Sequence, residues 1–126
     1  MNRQIKGMRL FITIVDRHKG KEVIKLFEEV GCHFHEVIYG KGTAPKEIYD
    51  YLGFGDIEKE VVISLTPTEI VPFMIDVLKT EFHFDQPGHG VACTIPFDSV
   101  AGKSVIEEIM RVKKQKTELS FQKEVE

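Results

Sequence analysis

A chain of 126 residues, 42% hydrophobic and 29% charged, has the size and make-up of one globular domain spanning 1–126. The formal net charge is -3, so no basic excess is available for a phosphate backbone, and nucleic acid is excluded as a generic partner. The sequence has no signal-peptide pattern and no apolar run of membrane-spanning length, and its cysteines, Cys32 and Cys93, stand in apolar stretches. A cytoplasmic protein with two reduced, buried thiols and no membrane insertion is expected.

The elements follow in chain order. Met8 to Asp16 alternates, with Met8, Leu10, Ile12 and Ile14 at period two, and predicts a strand. Arg17-His18-Lys19-Gly20 is a turn. Val23, Ile24, Leu26, Phe27 and Val30 fall at helical spacing within Lys21 to Val30, and Gly31 is a helix stop. Cys32 to Tyr39 predicts a second strand ending at Gly40-Lys41-Gly42. A loop follows over 43–59, with room for a short helix from Pro45 to Leu52 and an exit at Gly53-Phe54-Gly55. Glu60 to Leu65 predicts the third strand. Thr66, Pro67 and Glu69 have the spacing of a capping box before a helix whose stripe is Ile70, Val71, Phe73, Met74, Val77 and Leu78. Pro87-Gly88-His89-Gly90 turns the chain into a fourth strand, Val91 to Phe97. A last helix is expected within Ser99 to Lys114, in a C-terminal tail of 103–126.

Two β-α-β halves in succession predict an α+β fold of the ferredoxin-like kind over a core of 8–102. Its four strands form an antiparallel sheet with two helices on one face. The strongly apolar set Met8, Leu10, Ile12 and Ile14 is expected to face the helices. The other face, carrying Phe11, Thr13 and Val15, is half-apolar, as a face shared between subunits often is. The alternative is that the last helix folds back over it.

Candidate chemistry is sparse. Ser64, Ser99, Ser104 and Ser120 lie in no nucleophile-elbow sequence, and the carboxylates are spread over helix surfaces, so an enzyme is not expected. Cys32, His33 and His35 offer alternative metal ligands, because side chains at i and i+2 of a strand point the same way; His83 and Asp85 make a second such pair. Neither set has a third and fourth ligand at fixed spacing. Lys19-Gly20-Lys21 is not a P-loop. The two Gly-x-Gly turns are the better candidates, since glycine lets the backbone approach a ligand and present successive N–H groups to an anion. Lys41 and His89 would add charge and donors.

With these turns in place, the layout resembles the PII signal-transduction (nitrogen regulatory) superfamily, in its PII-like branch with a short loop. The most specific stretches are Tyr39-Gly40-Lys41-Gly42-Thr43-Ala44, Pro87-Gly88-His89-Gly90-Val91-Ala92, and Ile95-Pro96-Phe97-Asp98-Ser99-Val100. The resemblance implies a homotrimer with its sheets facing inward. It implies an adenine nucleotide (ATP, ADP or AMP) as effector between subunits, with Gly40, Lys41, Gly42 and Thr43 along one side. Gly88, His89 and Gly90 would hold the phosphates and Leu65 would contact the base. It further implies that 43–59 docks on a target enzyme or transporter. Where the family carries a phosphate-binding lysine this chain has Val91, and where two arginines follow the last strand it reads Ala101-Gly102-Lys103-Ser104, leaving Lys103 as the substitute. The loop lacks the family's modified-tyrosine motif, so no modification is carried over to Tyr49 or Tyr51. Two other readings stay open: a metal-binding trimer of the divalent-cation tolerance type, and a structural interaction module without ligand.

Overall fold

The computed structural model describes residues 7–42, 58–102, 104 and 106–108. The loop helix at Pro45 to Leu52, with Thr43 and Lys103, lies outside them, as does most of the last helix. Strand β1 is Met8–Asp16, helix α1 is Gly20–Val30, and strand β2 is Phe34–Lys41. Strand β3 is Glu58–Pro67, a single 3-10 turn covers Thr68–Ile70, helix α2 is Val71–Phe82, and strand β4 is Val91–Pro96. The sheet order is β2-β3-β1-β4, with every neighbouring pair antiparallel. This is the ferredoxin-like α+β arrangement. No helix among the described residues is long and apolar enough to cross a membrane.

Phe11 and Val15 of β1 pack with Val23 and Phe27 of α1 and with Met74 and Leu78 of α2, so both helices lie on one face of the sheet. Phe11 and Phe27 meet edge to face, with ring centres 5.4 Å apart. The helix-facing set is therefore Phe11, Thr13 and Val15, joined by Val62, Ser64 and Thr66 of β3, all buried. This reverses the expected orientation of β1. The reason is one of fit. Thr13, Ser64 and Thr66 are small enough for two helices to come close, and Phe27 and Met74 bring the bulk from the helix side.

The opposite face is the more apolar one. Across it the register places three rows of four: Ile38, Val61, Ile14 and Val91; Glu36, Ile63, Ile12 and Cys93; Phe34, Leu65, Leu10 and Ile95. Glu36 is the single charged member. Val91 is 56% exposed, Ile38 51% and Ile95 43%. Cys93 is also exposed, not buried as expected, whereas Cys32 is buried; both are free thiols.

Several boundaries differ from the sequence reading: β2 is shifted to Phe34–Lys41, β4 stops at Pro96, α1 starts one residue earlier at Gly20, and both ends of β3 move. Strand β3 starts at Glu58, so the last two residues of the expected 43–59 loop belong to the sheet. It also runs on to Pro67, and Thr66 donates its hydroxyl to the Pro67 carbonyl at 3.1 Å, so Thr66 caps no helix. The capping box yields because Thr66 pairs with Arg9 in the ladder, and α2 then starts with Pro72 in its first turn.

Candidate functional site

Both glycine segments lie at one end of the sheet, but only Gly88-His89-Gly90 is a turn: Gly40 and Lys41, expected in a turn after the second strand, are paired residues of β2. Gly40 opposes Lys59, which opposes Asp16; Val91, which follows Gly90, opposes Ile14 two residues below Asp16. The segments stand on the two edge strands, β2 and β4, with β3 and β1 between them. Three inter-strand spacings separate them by about 14 Å.

The β2 side holds a cavity of about 510 Å³, lined by Arg17, His18, Tyr39, Gly40, Lys41 and Glu60 among others. Most of its charge is internally matched. Arg17 pairs with Glu58, and Lys59 with Asp16. Glu60 is only 6% exposed and accepts the His18 backbone N–H at 2.9 Å. A Cβ on Gly20 would come within 3.3 Å of the Glu60 carboxylate, so the bare glycine makes room for that carboxylate at the start of α1. Lys41, also exposed, has no ion-pair partner among the described residues.

On the β4 side, α2 ends on His83 at φ 58, and the Phe84 N–H reaches back to the Leu78 carbonyl at 3.0 Å. Gly88 and Gly90 have φ of 88 and 143. A smaller cavity of about 280 Å³ opens between α2 and β4 against Lys79, Phe84, Gly90 and Val91. Val91 is exposed where the resemblance would place a lysine, and Lys79 is a cation nearby that sequence spacing did not flag. The signal was available: Lys79 is the basic residue in the last turn of α2. His89 turns toward His83, with ring centres 5.7 Å apart, so His83 is partnered with His89 rather than with Asp85.

The remaining expected residues are dispersed. Leu65 lies on the open face, six residues along β3 from Lys59, hence about 20 Å from the Gly40 row. It stands at the opposite end of the sheet from both glycine segments. Within one chain, then, Gly40, Lys41 and Gly42 form one group, Gly88, His89 and Gly90 another, and Leu65 neither.

The alternative metal set does not assemble. Among the described residues no group of three or more His, Cys, Asp or Glu side chains is placed to hold a metal ion. Strand β2 begins at Phe34, so Cys32 and His33 precede it. Cys32 is buried with its thiol directed at the Leu65 carbonyl, 3.4 Å away. His35 Nε2 lies 2.9 Å from the Cys32 carbonyl and Nδ1 lies 2.7 Å from Ser64 Oγ. A carbonyl only accepts, so Nε2 carries a proton, and in the neutral ring Nδ1 accepts from the Ser64 hydroxyl. No ring lone pair is left for a metal. His35→Ala strands the buried Ser64 hydroxyl and is expected to lower the unfolding free energy by about 1–3 kcal/mol in a denaturant titration, with no change in metal content.

The fold and its register together define a ferredoxin-like domain with two glycine segments at one end of its sheet, on opposite edge strands. No protein-family model matches the sequence, and no curated protein matches it at a significant level. Solved structures do. A Thermus thermophilus protein described as PII-like superposes with a TM-score of 0.56 at 11% identity, over 77% of this chain and 92% of that one. CPII from Thiomonas intermedia, bound to ADP, AMP and acetate, superposes with a TM-score of 0.57 at 12% identity, over 75% and 89%. The same protein bound to ADP, AMP and bicarbonate gives 0.57 at 13% identity, over 75% and 93%. The chain has the fold of the PII-like signalling proteins.

Proposed function

We propose that this chain is a PII-like regulatory protein that works as a homotrimer, binding an adenine nucleotide between copies. The observation that carries the reading is the placement of two glycine segments at one end of the sheet, on opposite edges, beside an apolar open face. Neither segment can close a cleft with the other across about 14 Å of its own sheet. If the open faces pack together, Gly40 to Thr43 of one copy can lie against Gly88 to Gly90 of the next. Lys41, His89 and Lys103 then face the phosphates, and the backbone N–H groups of the two segments supply the rest. A base reaches Leu65 only where the ligand runs along the sheet. The bound ADP and AMP of the CPII structures support this class of effector. The segment 43–57 enters β3 directly beside the Gly40 wall, so a ligand there would bias its conformation and its hold on a target protein.

Gly40→Ala is the clean probe. A Cβ at Gly40 meets nothing within 4 Å, so the folded chain accepts it and stability stays within about 0.5 kcal/mol. A ligand lying on the strand loses its close approach. Calorimetry with ATP, ADP, AMP and cyclic dinucleotides should find binding to the parent chain that Gly40→Ala weakens about tenfold, equivalent to about 1.4 kcal/mol. A parent chain that binds none of them at millimolar concentration points instead to an interaction module without ligand.

A further inference from the structure

We propose that His83 and His89 form a two-imidazole site for a divalent transition-metal ion of the zinc, nickel or copper(II) class. It does not rest on the nucleotide reading, although the two share His89. The two rings meet edge-on at the α2–β4 turn, with centres 5.7 Å apart and planes at 68°. Two imidazoles on one tetrahedral ion, with metal–nitrogen bonds of about 2.0–2.1 Å, place their ring centres about 5.2 Å apart. The centres are already near that separation, and rotation of the exposed rings would turn one nitrogen of each onto the ion.

The backbone under both rings is fixed. The Phe84 N–H is bonded to the Leu78 carbonyl at 3.0 Å, and the Gln86 N–H to the His83 carbonyl at 2.9 Å. Gly90, next to His89, is wedged between the Phe84 ring and the Ile14 carbonyl. His83 also holds a left-handed conformation, φ 58, which among non-glycine residues is commonest for asparagine, aspartate and histidine. It caps the C-terminal end of α2, where unpaired carbonyls favour a cation. Both side chains are exposed, so the ion enters without a burial cost and completes its shell with water or an anion. Imidazole nitrogen selects zinc, nickel and copper over magnesium and calcium.

The test uses the full chain, titrated with Ni²⁺ by calorimetry and with Cu²⁺ by electron paramagnetic resonance. The expected result is one ion per chain, with hyperfine coupling from two imidazole nitrogens. His83→Asn, chosen because asparagine tolerates the left-handed conformation, and His89→Ala each weaken binding by about tenfold or more and leave coupling from one nitrogen. Magnesium gives no heat. A parent chain that binds no ion, or variants that keep the parent affinity or both nitrogen couplings, would overturn the assignment.

Discussion

Gly90→Ala is expected to lower the unfolding free energy by about 2–5 kcal/mol, combining overpacking with backbone strain. The added methyl would sit 2.5 Å from Phe84 Cζ and 2.7 Å from the Ile14 carbonyl oxygen, at a φ of 143 that side chains rarely adopt. The ring can move, but the carbonyl is part of the central strand and cannot. Equilibrium denaturation measures the loss. The double variant Phe84→Ala, Gly90→Ala separates the two clashes: it should be less destabilised than the sum of the single changes, because the ring contact is gone while the carbonyl contact remains. Strict additivity would mean that the ring is no obstacle. Because Gly90 is a packing position, loss of ligand binding on its substitution says little about its amide, whereas Gly40 reports on the ligand alone.

Ile63→Asp is expected to convert a trimeric parent chain into a folded monomer. Ile63 lies near the middle of the open face, between Glu36 on β2 and Ile12 on β1, with Cys93 beyond on β4. Burying an isoleucine contributes about 1.5–3 kcal/mol, and an unpaired carboxylate in its place costs several more. In a trimer the change is repeated in every copy. Sedimentation velocity should give the parent mass as three chains and the variant as one, with far-UV dichroism unchanged. On the proposed arrangement nucleotide binding is lost with the assembly, because its walls would come from two copies. Cys93 reports the same event, its thiol alkylating slowly in the parent and fast in the variant. Phe73→Asp is the control, on the outer side of α2 at 56% exposure, and leaves the mass unchanged. A parent chain that sediments as a monomer, or a variant that keeps the parent mass, overturns the trimer.

Local patterns carried most of the fold. Strand β1 is where alternation placed it, and α1 differs by one residue. The order of elements is as expected from the two β-α-β halves. Alternation could not say which face turns toward the helices. The usual rule, that the most apolar face is buried, points the wrong way here, because the helix side includes Thr13, whose buried hydroxyl has no hydrogen-bond partner among the described residues. Orientation is decided by how closely two helices can approach, which depends on residues far apart in sequence. The same holds for the candidate site. Gly90 was visible as a turn, whereas Gly40, expected in one, is a ladder residue of β2, and Lys79 beside Gly90 and the contact of His83 with His89 depend on where α2 stops. Leu65 was expected by resemblance alone, and strand length carries it to the far end of the sheet.

If the open faces pack together as proposed, stability also depends on abundance. A chain that buries Leu10, Ile12, Ile14 and their neighbours only against other copies gains free energy by mass action, so its melting temperature climbs with protein concentration. Dilution then acts as a denaturant. At low expression, separated chains would display a broad greasy sheet to every chaperone and protease nearby, and the cell would clear them before they could bind anything. A sensor built this way reports only when enough of it has been made.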